Sequence, residues 1–206
     1  MEKQVKISVI TLGDTGVGKT SIIKRIHDDS FQELMFSTHG MSDFFIERNY
    51  TKKNIKIALC FKDTAGQELY KELPLQYIRN SHIVLLVFST IETLNTIRER
   101  WYNFYKENAN LEISKFILVG NKSDIFGDER EEIERQGQEF SEEINAHFIT
   151  CSAKSKDNID TLEQIIIDEA KRMIDLAEEL LNEQNRIQLN NNQGRNNDNQ
   201  RRNGCC

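Results

Sequence analysis

The chain has 206 residues, 38% of them hydrophobic and 29% charged, with a formal net charge of −6, which suits one core-forming domain plus an appendage. The acidic balance argues against nonspecific nucleic-acid binding, which relies on clustered Lys and Arg. The most apolar stretch, Ile83 to Phe88, is far shorter than the roughly 20 residues of a spanning helix. The N-terminus lacks the apolar region and small-residue cleavage site of a secretory leader, so the cytosol is the expected compartment.

In chain order, Val5 to Leu12 (VKISVITL) is rich in β-branched residues and runs into a Gly-containing loop, the pattern of a strand feeding a helix that starts near Lys19. Residues 31–40 read as irregular. Asp43 to Arg48 and Ile55 to Phe61, joined through a polar TKKN turn, read as a hairpin. Ile83 to Ser89, Lys115 to Gly120 and His147 to Ser152 are further strand-like runs, separated by helical patterns near Thr93 to Asn108 and Glu129 to Ile144. Strands alternating with helices imply an α/β fold with a mainly parallel sheet covered on both faces.

A final helix is expected from about Asn158 to Leu181, where Ile159, Leu162, Ile165, Ile166, Ala170, Met173, Ile174, Ala177 and Leu181 recur at helical spacing. Beyond Asn182 the chain turns to Asn, Gln and Arg. Such a segment buries too little surface to offset chain entropy and reads as disordered. The expected organisation is therefore a domain over residues 1–181 and a tail over 182–206. Cys60 and Cys151 fall in strand-like runs and read as small core residues, whereas Cys205 and Cys206 end the chain. Neither a disulfide framework nor zinc-ligand spacing emerges.

Four motifs carry chemistry: GDTGVGKT at Gly13 to Thr20, DTAGQE at Asp63 to Glu68, NKSD at Asn121 to Asp124 and CSAK at Cys151 to Lys154. Gly13, Gly16 and Gly18 let the first loop curl around an anion with its N–H groups inward, so the run Gly13, Asp14, Thr15, Gly16, Val17 and Gly18 is assigned to phosphate. Lys19 then reaches the β and γ phosphates and the Thr20 hydroxyl coordinates Mg²⁺. Asp63, at the end of a strand, holds the same ion through water. Gly66 permits close approach of a backbone N–H to the γ phosphate. Taken alone, DTAGQE also reads as a polar turn with a helix start.

From Val5 to Leu181 the ordered set resembles the Ras superfamily of small GTPases. The resemblance implies a P-loop NTPase fold, the Ras-like G domain, with a mostly parallel six-stranded sheet and helices on both faces. It also implies GTP and GDP as substrate and product, Mg²⁺ as cofactor, Gln67 orienting the attacking water, and Thr38 binding Mg²⁺ and the γ phosphate. Phe31 corresponds to an aromatic packing on the guanine edge, and Asn121, Lys122 and Asp124 to the base-specificity motif. Asp124 would accept from guanine N1–H and the 2-amino group, donors that adenine lacks. Ser152, Ala153 and Lys154 complete the base site, with the Ala153 N–H donating to guanine O6 and Lys154 flanking the ring.

The NGCC ending excludes a CaaX signal, because the fourth residue from the end is Asn203. A double-cysteine end resembles the Rab family, as do FSTHG and the YIRNS stretch at Tyr77 to Ser81. That resemblance implies geranylgeranylation of Cys205 and Cys206 and a switch regulating vesicle-mediated membrane traffic from the cytoplasmic face of an intracellular membrane. Implied partners are an exchange factor, a GTPase-activating protein, a GDP-dissociation inhibitor, the prenylation machinery and effectors on switches I and II, with the protein a monomer. Against the family pattern, His39 replaces isoleucine, Met41-Ser42-Asp43 is one residue longer, Lys62 stands where tryptophan is usual and Leu69 replaces arginine. Thr15 fills a loop position that is usually Gly in Ras-like members. A GTP-bound scaffold without hydrolysis and an ATP-using P-loop enzyme remain as other readings.

Overall fold

A computed structural model describes residues 3–33, 41–50, 53–64 and 75–202, and the side chains of residues 41, 185 and 187–202 lie outside the description. The chain divides into two units, Met1–Glu169 and Ala170–Cys206. The first holds a six-stranded, mostly parallel sheet.

β1 (Lys3–Leu12) leads through the glycine-rich loop to α1 (Lys19–Asp28), followed by β2 (Met41–Tyr50) and β3 (Ile55–Thr64). β2 and β3 pair antiparallel, with Phe45 opposite Cys60 and Asp43 opposite Lys62. β1 lies parallel to β3 on one side and to β4 (Ile83–Phe88) on the other. β5 (Lys115–Gly120) and β6 (His147–Thr150) extend the parallel array. The expected hairpin and mainly parallel sheet are both present, although the last strand stops at Thr150 and leaves Cys151 in the loop beyond it.

Every residue of β4 is buried, as expected of a strand covered on both faces. On one face, Ile10, Leu12, Val84, Leu86, Phe88 and Leu118 join a core cluster with Ile78 of α2 (Leu75–Arg79), Leu94 of α3 (Ile91–Thr96), Tyr105 of α4 (Tyr102–Asn108) and Phe140 of α5 (Arg130–Glu143). Thr90 and Thr93 cap α3 reciprocally, satisfying donors that a helix start leaves open. A π-helical turn, Ile97–Trp101, joins α3 to α4. α1 contacts β2 and β3, and its Ile22, Ile23 and Ile26 are buried.

α6 spans Ile159–Arg202. Ile159, Leu162 and Ile166 in its first turns are buried, which matches the apolar spacing. The helical backbone runs on past Leu181 to Arg202. Among the described residues, no helix is long and apolar enough to cross a membrane.

Candidate functional site

The described residues of the four motifs lie at the carboxyl ends of parallel strands, where sheets of this type place ligands. β1 ends at Leu12 and delivers Gly13, whose φ is 148°. A Cβ there would lie 2.1 Å from the Val87 carbonyl oxygen, so only glycine lets the loop leave the sheet beside β4. Gly16 (φ 79°) and Gly18 (φ 95°) also have positive φ, a region that disfavours side chains with a Cβ. Gly18 is the N-cap of α1, and no side chain caps that end. The loop therefore presents helix-terminal N–H groups suited to an anion. Thr15 is exposed, Asp14 is half-buried and Val17 is buried.

Lys19 donates from Nζ to the carbonyl oxygens of Gly13 (2.8 Å) and Asp14 (3.0 Å). Burial lowers its pKa to about 8, although Asp63 and Asp14 pull the other way. The Thr20 hydroxyl donates to Asp63 Oδ2 at 2.6 Å. Burial raises the Asp63 pKa, opposed by the Thr20 hydrogen bond and by the charges of Lys19 and Lys24.

Asp63 Oδ1 is buried without a hydrogen-bond partner, an arrangement that costs free energy unless something compensates it. An unmatched carboxylate oxygen beside a hydroxyl forms a hard oxygen donor set, which fits Mg²⁺. Thr38, His39, Gly66, Gln67, Leu69, Cys205 and Cys206 lie outside the described residues.

Asn121 joins the phosphate loop to the base loops. Its Nδ2 donates to the Val17 carbonyl at 2.8 Å, and its Oδ1 accepts from the Ala153 N–H at 3.1 Å. The Ala153 N–H expected at guanine O6 is thus already engaged, and reaching O6 as well requires a bifurcated bond. Lys122 has a left-handed φ of 67°. Asp124 is exposed, with one carboxylate oxygen accepting from the Ser152 hydroxyl at 2.5 Å, which leaves its other oxygen for a ligand. Ser152 is itself buried and accepts from the Ser155 N–H at 3.1 Å. Burial pushes the Cys151 thiol up to about 12, consistent with a packing role.

Two residues that the motif reading missed organise this site. Arg25 of α1 donates from Nε to the Ala153 carbonyl (2.9 Å) and from a terminal nitrogen to the Lys154 carbonyl (3.1 Å). Its guanidinium also lies 5.6 Å from the centroid of the half-buried Phe31 ring. Arg25 therefore sets the height of the CSAK loop against the aromatic expected at the base edge. Lys154 pairs with Glu33 at 2.8 Å, which raises the Lys154 pKa. The other missed residue is Trp101, whose indole Nε1 donates to Asp14 Oδ1 at 2.8 Å. Their partners lie 128 and 87 positions away in sequence, so no local pattern could announce them.

At the position usually held by tryptophan, the Lys62 ammonium bonds Asp43 at 2.5 Å and sits 4.9 Å from the Tyr77 ring centroid. Burial lowers its pKa, but Asp43 and Cys60 together outweigh this and leave it raised. The departure from the family pattern is thus a paired cation joining β2, β3 and α2.

A family model described as the Ras family matches residues 8–172. The Ras-related protein RabC of Dictyostelium discoideum is 30% identical over 213 residues, covering 100% of both chains. The GTP-binding protein ypt2 of Schizosaccharomyces pombe is 32% identical over 188 residues, covering 90% of this chain and 92% of that protein. The Ras-related protein SEC4 of Candida albicans is 33% identical over 159 residues, covering 76% and 73%.

Proposed function

Since the chain belongs to the Ras family as a Rab-type small GTPase, a switch of vesicle traffic that binds guanine nucleotides and hydrolyses GTP to GDP, we propose how its residues divide that work. The loop Gly13, Asp14, Thr15, Gly16, Val17 and Gly18 cradles the phosphates with backbone N–H groups. Lys19 exchanges its carbonyl partners for the β and γ oxygens. Thr38 and the Gly66 N–H contact the γ phosphate, and Gln67 orients the attacking water in line with it. Thr20, Thr38 and Asp63 would hold Mg²⁺, which when bound neutralises charge on the β and γ oxygens.

At the other end, Phe31, Lys122 and Lys154 flank the guanine. Asp124 accepts from N1–H and the 2-amino group, while Ser152 keeps its carboxylate aligned. The observation that carries this reading is the position of Asn121, bonded to Val17 of the phosphate loop and to Ala153 of the base loop. One side chain couples phosphate and base recognition. The relatives favour a hydrolysing switch over a scaffold without hydrolysis.

Regulators and effectors follow from the family in general. For this chain the proposed set is an exchange factor, a GTPase-activating protein, a GDP-dissociation inhibitor, the prenylation machinery and effectors reading switches I and II. Hydrolysis serves as a timer, slow until a partner supplies an electropositive group worth about 10³ to 10⁵ in rate. Members of this family associate with membranes. Here the proposed anchor is a pair of geranylgeranyl groups on Cys205 and Cys206, since one lipid binds marginally and two bind stably. The G domain then ends near residue 181 and the remainder spaces it from the bilayer.

Single-turnover GTP hydrolysis tests the catalytic assignment. The Gln67→Leu protein is expected to bind GTP as the parent does and to hydrolyse it at least about tenfold more slowly, the lost water alignment setting the scale. Equal rates, alone and with an activating protein, would remove Gln67 from the mechanism.

A further inference from the structure

Asp14 sets a carboxylate within the glycine-containing loop. Its carbonyl oxygen accepts from Lys19 Nζ, so the residue also belongs to the machinery that holds the lysine. Its carboxylate accepts from the indole of Trp101 at 2.8 Å. That indole is 2% exposed and belongs to the core cluster with Leu12, Phe88 and Phe140. Trp101 closes the π-helical turn Ile97–Trp101, and such turns are frequent at functional sites. A buried indole N–H needs an acceptor, and the one it has is the charged group of the nucleotide loop.

We infer that Trp101 is a positioning residue for nucleotide binding, its core-anchored indole pinning the Asp14 carboxylate to the α3–α4 segment and away from the phosphate path. The inference rests on the phosphate-binding reading of residues 13–20. Without the indole donor, the carboxylate is free to turn toward the cradle and repel the phosphates. The effect falls on the phosphates rather than on the base.

The test is GDP binding to full-length protein by equilibrium titration with labelled nucleotide. Trp101→Phe is expected to weaken GDP about tenfold, the scale of one hydrogen bond to a charged group. Adding Asp14→Asn to that variant is expected to recover most of the loss, because a neutral amide does not repel phosphate. A packing defect from the smaller ring would not be recovered by Asp14→Asn. Equal affinity of Trp101→Phe and parent, or a loss that Asp14→Asn leaves untouched, overturns the inference. Failure of the parent itself to bind GDP would instead overturn the phosphate-loop reading.

Should Trp101→Phe not fold, Asp14→Ala carries the test. Trp101 is the only tryptophan in the chain, so the GDP-bound protein gives a single indole N–H resonance. Loss of the charged acceptor is expected to move it upfield, and an unmoved resonance overturns the inference.

Discussion

Gly18→Ala places a methyl group where two loops meet. The new Cβ would stand 2.2 Å from Asn121 Nδ2, and Asn121 has little room to yield because it bonds both Val17 and Ala153. The backbone φ of 95° adds strain, about 1 to 2 kcal/mol for a residue with a Cβ. Loss of the Asn121–Val17 bond adds about 0.5 to 1.5 kcal/mol. Gly16→Ala separates the two effects, because Gly16 also has positive φ (79°) but a Cβ there meets nothing within 4 Å. Gly16→Ala should therefore show strain alone, whereas Gly18→Ala should show strain plus the broken coupling. The difference between them should be about 3- to 10-fold in GDP dissociation constant, measured by titration at fixed Mg²⁺. Equal effects of the two variants would refute the role assigned to Asn121.

Asp124→Ala should cost GDP about 10- to 100-fold, the scale of hydrogen bonds to a charged acceptor, while leaving weak ATP binding unchanged; competition titrations with both nucleotides would read the ratio. Lys19 supplies a pH dependence. Its pKa in the nucleotide-free fold is lowered from 10.5 to about 8, so between those values the unfolded chain holds more protons and folding stability should rise with pH. Phosphates favour the ammonium, so GDP affinity should fall as pH rises above about 8. A flat profile in isothermal titration from pH 7 to 9.5 would contradict this sign. Removing Cys205 and Cys206 should abolish recovery in the membrane fraction while GTP binding stays at the parental level, and persistent membrane recovery in cell fractionation would reject the proposed anchor.

Much of the fold was legible because the signals are local. β4 reads as buried from its unbroken run IVLLVF, and α1 from the loop that feeds it. The glycines at 13, 16 and 18 forecast the positive φ values that the loop adopts. The end of the last strand at Thr150 was not legible, because the strand-like pattern runs on through Cys151. The engaged Ala153 N–H was likewise hidden, since its acceptor lies 32 residues earlier. Lys62 was recognised as a departure, yet its partners Asp43 and Tyr77 become evident only from the strand register and the placement of α2.

By itself the sequence determined the residues on offer: a glycine-containing loop with its lysine and threonine, Asp63 at a strand end, and the NKSD and CSAK runs. Spacing along the chain suffices for these, because each motif is built from consecutive residues. Only the tertiary structure decided how the motifs depend on one another. Asn121 bonds both Val17 and Ala153, Arg25 bonds the carbonyls of the CSAK loop, and Trp101 bonds the Asp14 carboxylate. These contacts span 87 to 128 positions for Trp101 and Arg25, and the parallel sheet closes those distances by gathering its strand ends on one edge.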